Sequence, residues 1–314
     1  MTTAVSAAPS AAETPLRPRK RPKPSLKQAL VGWSFALPFV VLFGVFLAGP
    51  IVVSFLTSFT DLRVTDIRSP LGVNFVGLEN YADVFGDPAF RKAAVNTVVY
   101  VLFAVPLTIG LGLLIALALN QGVVRLRNVF RLGFFLPYVT SVIAIAIVWR
   151  LLLGSESGLI NGLLDSIGID GPGWLIDTRY SLASMIIMTT WRGLGLQMII
   201  FLAGLQAIPV ELYEAARVDG AGRWQQFRYV TLPMLRPTLL FSGVVASIGL
   251  VQIFEEPFVM TQGGPLDSTL TVAYHAYNQF SFGNYGYTAA ISYVLFLAIV
   301  ALTLLQFRVL RPKT

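Results

Sequence analysis

From Ala93 to Leu119 the chain carries not one Asp, Glu, Lys or Arg. About 20 helical residues cross a hydrocarbon core of ~30 Å, so a run of this kind predicts a transmembrane helix. Five further apolar runs, at residues 31–59, 132–153, 181–205, 238–260 and 287–307, predict an all-α membrane protein with six transmembrane helices. A β-barrel would instead alternate apolar and polar residues in segments of about ten. Composition agrees. Only 12% of the 314 residues are charged, about half the share of a soluble domain, and the mean hydropathy is +0.70.

Six spans put both termini on one side, and Lys and Arg decide which. One set of segments holds Arg17, Arg19, Lys20, Arg21, Lys23, Lys27, Arg125, Arg127, Arg131, Arg217, Arg223, Arg228, Arg236, Arg308, Arg311 and Lys313. The other set holds only Arg63, Arg68, Arg91, Lys92 and Arg179. The positive-inside rule then makes both termini cytoplasmic. It also explains the net charge of +7 without nucleic acid as a partner. Residues 1–30, rich in Ala, Pro, Lys and Arg, read as a disordered basic cytoplasmic tail that cannot bury enough apolar surface to order itself. Residues 31–314 read as one six-span domain. Cysteine is absent, which excludes disulfides and thiolate metal sites. The single histidine, His275, falls in a predicted outer loop and reads as an ordinary exposed residue. No metal site and no catalytic constellation is expected.

Between spans four and five, on the cytoplasmic side, stands a polar block, "IPVELYEAARVDGAGRWQQFRYVTLPMLRP". Pro209 suits the first turn of a helix, where a missing N–H costs nothing. Glu211 and Glu214 favour the positive end of its dipole and Arg217 the other end. Gly220 and Gly222 permit a tight corner. Trp224 and Phe227, three apart on a second short helix, are expected to pack on the spans above. The implied shape is a short surface helix with a small-residue face at Ala215 and Ala216. It either enters a groove of another protein or lies among lipid headgroups. Headgroups call for Lys and Arg, whereas Glu211, Glu214 and Asp219 are prominent here.

The pattern E-A-A-x-x-D-G-A-x-x-x-x-x-F-x-x-V-x-L-P-x-x-x-P on Glu214–Pro237 closely resembles the signature loop of ABC importer membrane subunits. Val230 stands where isoleucine is also common in that family. "FVGLENYADVFGDPAFRKAAVNTVVY", "WRGLGLQMIIFLAGLQAIPVELYEAARVDGA" and "TQGGPLDSTLTVAYHAYNQFSFGNYGYTAAISY" extend the resemblance to the first membrane subunit of carbohydrate importers, the maltose, oligosaccharide and glycerol-3-phosphate group. The resemblance implies a type I importer permease bundle in the inner (plasma) membrane of a prokaryote. It implies a coupling loop at 207–236, in which Glu214, Ala215, Ala216, Asp219, Gly220 and Ala221 meet an ATPase. It also implies a second permease subunit, two ATPase copies, an extracytoplasmic binding protein and a sugar substrate moved by alternating access. ATP and Mg would sit on the ATPases. The chain's five lysines, at 20, 23, 27, 92 and 313, lie in no G-x-x-x-x-G-K-[ST] phosphate loop, so the motor has to be a separate subunit.

Charges within spans cost about 2.5–3.5 kcal/mol each and mark interior surfaces. Arg192 on span four and Glu255 and Glu256 on span five fall at depths differing by about 6 Å, taking ~1.5 Å per residue. A pairing of Arg192 with one of the two is expected, either as a helix lock or beside a substrate cavity. Sugar recognition needs amides, carboxylates, hydroxyls and aromatic faces. Candidates are Tyr138, Thr189, Trp191, Arg192, Gly193, Ser247, Gln252, Glu255 and Glu256, with lipid or helix packing the other reading of Trp191. Tyr138, Thr189 and Gly193 fall where the maltose-type permease meets sugar. Arg192 replaces an aliphatic residue there, and its charge suits a phosphate or carboxylate as readily as it breaks the analogy. Pro106 and Pro137 are expected to kink their helices. Residues 75–92 and 154–180 read as surface segments packing on the bundle or meeting the binding protein. The competing function, a secondary active transporter of a small polar solute, would show internal repeats and a midplane ion site. Apart from the two glutamates, neither is present.

Overall fold

The computed structural model describes residues 26–68, 72–120, 126–156 and 158–310. The expected basic tail, up to residue 25, lies outside them, as do Arg125, Arg311 and Lys313. The chain divides into two units, residues 1–52 and 53–314. In the first, α1 (Leu26–Phe43) passes through a π turn at Gly44–Ala48 into α2 (Gly49–Thr57), whose residues from Val53 belong to the second. Helix thus begins inside the segment expected as tail. Every residue from Leu30 to Leu47 is exposed, an apolar surface suited to lipid or to other helices.

The second unit follows α2 with α3 (Glu79–Gly86), α4 (Pro88–Asn120), α5 (Arg127–Val139), α6 (Val142–Leu152), α7 (Leu159–Ser166) and α8 (Ser181–Gln206). Then come α9 (Val210–Val218), α10 (Arg223–Gln226), a π turn at Phe227–Thr231, and α11 (Leu232–Met234). The last elements are α12 (Arg236–Val251), α13 (Glu255–Met260), α14 (Val272–Ser281) and α15 (Tyr285–Leu310). Spans lie at Leu30–Thr57, Pro88–Asn120, Ser181–Gln206, Arg236–Met260 and Tyr285–Val309, with a sixth if α5 and α6 together count as one.

That sixth, expected at 132–153 with a kink at Pro137, is broken into two helices. α5 and α6 meet at 98°. Pro137 offers no N–H to the preceding turn and its ring crowds it, and three residues later Thr140 leaves helical geometry at ψ 149. Pro106, by contrast, sits inside α4 with no break in the helix.

The core of the second unit is α4 against α8. A Cβ on Gly112 would stand 2.5 Å from Gln197 Cβ, and one on Gly193 would stand 2.8 Å from Thr108 Cγ2. These glycines let the two backbones approach, as small residues do wherever helices associate in lipid. Around this seam Tyr100, Ile145, Met185, Met188, Ile253 and Met260 form one buried cluster. Toward the α9 end, Met198, Phe201, Leu202, Leu205 and Leu235 form another.

The opposite end is a cap knit by side chains. Asn96 Nδ2 donates to the Asp267 and Leu270 carbonyls at 2.7 and 2.9 Å. Asn80 Nδ2 donates to those of Ser58 and Thr60 at 2.9 and 2.8 Å. His275 belongs here and is not an exposed loop residue: it is 4% exposed. Its Nε2 lies 3.0 Å from Asp87 Oδ2, without the linear geometry of a hydrogen bond. Tyr287 donates its hydroxyl to the same oxygen at 3.0 Å. Burial holds the imidazole pKa below its ordinary value, against the upward pull of Asp87 and Asp267. Burial also raises the Asp87 carboxyl, but the Ala89 N–H, the Tyr287 hydroxyl and His275 together carry it below its ordinary value.

Candidate functional site

Two groups of residues stand out, a surface loop and an internal cleft. In the loop, Pro209 is the N-cap of α9, one position ahead of the first turn. After Val218 the chain stops in a Schellman motif. Gly220 sits at φ +79, its N–H bonds the Arg217 carbonyl at 3.1 Å, and the Ala221 N–H reaches back to Ala216 at 2.8 Å. The Gly222 N–H is capped by Gln225 Oε1 at 2.7 Å, and Gln226 Nε2 holds the Ala221 carbonyl at 2.8 Å. Tyr213 Oη and Thr231 Oγ1, 2.9 Å apart, tie α9 to the returning chain.

This frame leaves Glu211, Glu214, Ala215, Arg217, Asp219 and Gly220 exposed, with Ala216 and Ala221 half-buried. Val218 is 88% exposed. Trp224 does not pack on the spans as expected. It is 70% exposed and lies against the Phe227 ring, centroids 5.5 Å apart. A surface so defined and so little engaged by its own chain is built for contact with something else.

The cleft, about 200 Å³, opens between α4, α5, α8, α12 and α13. Tyr138, Thr189, Arg192, Gly193, Gln252, Glu255 and Glu256 all line it. Seven of the nine candidates predicted from sequence therefore converge. Trp191 does not line it. Trp191 is 42% exposed on the far side of α8 and lies 5.7 Å from the Trp149 ring. Arg192 Nη2 stands 3.7 Å from Glu256 Oε1, which settles the expected pairing on Glu256. The guanidinium carbon also lies 5.9 Å over the Tyr138 ring, within cation–π range. Glu256 is 4% exposed. The helix gap at Gln252–Phe254 between α12 and α13 puts it there.

Behind the pair the hydroxyls of Tyr100 and Thr189 are neighbours, though not in hydrogen-bonding geometry. Ser247, also expected near substrate, instead accepts from Gln306 Nε2 at 2.6 Å, outside the cleft. A larger recess of about 520 Å³ lies in the cap among Asp61, Arg63, Glu79, Asn80, Asp83 and Asn284. It is a seam between surface segments, and none of the in-span charges reaches it.

Residues 108–313 match the model of the family described as "binding-protein-dependent transport system inner membrane component". The chain belongs to this family. The permease is 37% identical to the lactose transport system permease protein LacF of Rhizobium radiobacter, over 90% of this chain and 94% of that protein. It is 35% identical to the arabinooligosaccharides transport system permease protein AraP of Bacillus subtilis, over 87% and 86%. It is 32% identical to the trehalose/maltose transport system permease protein MalF of Thermococcus litoralis, over 90% and 94%. In fold it matches a chain of a bacterial ABC transporter that imports the acidic polysaccharide alginate, with a TM-score of 0.76 and 23% identity over 92% of this chain and 98% of that one. The permease thus has the type I ABC importer fold, and membership sets aside a secondary transporter. Its relatives are transport permeases rather than enzymes.

Sequence reasoning missed Thr108, Gln197, Ala246, Gly249 and Ile253 on the permease's cleft wall. The signal was present on span four: Thr189, Gly193 and Gln197 follow each other at i, i+4 spacing, one stripe of a helix. On span five Ala246, Gly249, Ile253 and Glu256 follow at i, i+3, i+7 and i+10, again one stripe of a helix.

Proposed function

We propose that this permease forms one wall of the path of an ATP-driven, binding-protein-dependent importer for a carbohydrate, from mono- to oligosaccharide. The other wall comes from a second permease. Two ATPase copies holding ATP and Mg dock on the 207–236 loop, and an extracytoplasmic binding protein delivers sugar at the cap. Both termini and the loop face the cytoplasm of a prokaryote, and the bundle sits in its inner membrane. The loop carries this reading. It presents Glu214, Ala215, Asp219 and Gly220 to solvent on a frame closed by its own hydrogen bonds. ATP binding draws the ATPases together, α9 passes the motion into the bundle, and the cleft changes sides. The carbohydrate assignment draws on the sugar permeases named above and on a cleft that combines carboxylates, an amide and a tyrosine ring. The exposed Val245, Gly249, Gln252 and Glu255 on its rim suit a wall that a partner completes.

The test is purification through a tag on this chain, followed by uptake into liposomes loaded with ATP. Co-purifying ATPase and ATP-dependent entry of a labelled saccharide support the reading. Saccharide entry with no nucleotide-hydrolysing subunit attached would refute it.

A further inference from the structure

We infer that the cleft is a charge filter that admits neutral or cationic saccharides and turns away uronates, sulfonates and phosphates, a conclusion that rests on the carbohydrate reading above. Three Arg or Glu side chains line it, and no Lys, Asp or His: Arg192, Glu255 and Glu256. The positive group is already committed. Arg192 holds Glu256 at 3.7 Å, leans over Tyr138 at 5.9 Å, and keeps its Nε buried. One guanidinium against two carboxylates leaves one negative charge, and it resides on Glu255. That residue is exposed at the rim and has no ion pair among the described residues. Arg131 and Arg150 do not line the cleft.

An incoming carboxylate or phosphate therefore meets a like charge first. It gains a cation only by displacing Glu256, which would leave a buried carboxylate unpaired. Neutral sugar hydroxyls have the easier course, donating to Glu255 and exchanging hydrogen bonds with Gln252. The positive charge that the sequence alone offered to anionic substrates is thus unavailable to them.

The absence of cysteine from the chain permits a direct reading of this potential. A Cβ on Gly249 meets nothing within 4 Å, so Gly249→Cys places one thiol in the cleft, with Gln252→Cys as a second site. In the assembled importer in nanodiscs, with and without ATP, the thiol is reacted with a cationic trimethylammonium-ethyl and an anionic sulfonato-ethyl methanethiosulfonate. Labelling of this chain is read by mass, and rates are normalised to a small free thiol. The cationic reagent should react faster by about tenfold, the order expected of unit charges meeting across a partly solvated cleft. The ratio should fall as salt is raised, and adding Glu255→Lys should reverse it.

A ratio of one, a faster anionic reagent, or a ratio unmoved by Glu255→Lys would overturn the filter. No labelling by either reagent in any state would overturn the placement of these residues in a solvent-reached cleft. Reagent rates are readable whether or not a saccharide is transported, so failure here is distinct from failure of the proposed function.

Discussion

The surface loop and the cleft use the same side chains for opposite ends. In the loop, Glu214, Arg217 and Asp219 are exposed and form no ion pair among the described residues. In the cleft, Arg192 and Glu256 are withdrawn from water and hold each other. Charge left free on a surface is nearly neutral for stability and available to a partner. Charge drawn into a bundle is committed to the fold, and removing half of it is costly. Loop substitutions should therefore damage function and spare the fold, whereas cleft substitutions should damage both.

The sharpest break in that contrast is Gly220→Pro. Proline fixes φ near −65°, and Gly220 needs +79, so the corner cannot close. Uptake should fall to background and ATPase should no longer co-purify, while membrane insertion is unchanged. Glu214→Ala should lose uptake with thermal stability within about 0.5 kcal/mol of the parent, as for other surface changes. Unfolding of this variant at a clearly lower temperature would erase the distinction.

Arg192→Ala should destabilise the purified complex by about 3 kcal/mol, the lower end for a broken buried pair, because the Arg192 side chain keeps 20% exposure. Arg192→Leu combined with Glu256→Gln should recover most of that stability in a thermal melt. Tyr213→Phe removes the hydroxyl that meets Thr231 and should cost about 1 kcal/mol, with partial loss of coupling between ATPase rate and uptake.

The smallest effect lies in the cap. His275 and Asp87 both have lowered folded-state pKa values, against ordinary values of 6.5 and 3.8. For each, protonation favours the unfolded chain. The histidine contribution is therefore present above about pH 6.5 and is lost as pH falls through its lower folded value, and that of Asp87 is lost only in stronger acid. Melting temperature should decline on acidification from pH 7 to 5, and His275→Phe should flatten that decline.

The sequence showed clearly what depends on local composition. Apolar runs placed the spans, and the fixed spacing from Glu214 to Pro237 placed the loop. Arg192, Glu255 and Glu256 announced the cleft because charge is so rare within spans. What stayed hidden depends on distant contacts. His275 reads as exposed until Asp87, far upstream, is brought beside it. Ser247 reads as a sugar ligand until Gln306 on α15 claims its hydroxyl. The right-angled meeting of α5 and α6 was foreshadowed by Pro137, but a proline inside α4 gave no break, so the residue type alone did not decide the outcome.

The gap between α12 and α13 divides one span into two mechanical parts. At the gap Thr271 donates to the Ile253 carbonyl at 2.8 Å, and beyond it Arg150 donates to that of Val259 at 3.3 Å and the Thr261 and Thr269 hydroxyls are hydrogen-bonded at 2.6 Å. The half-helix bearing Glu256 is thus tied to α6 and to the chain leading into α14 as well as to its own span. Any displacement of that segment is carried through one short helix to the carboxylate holding Arg192.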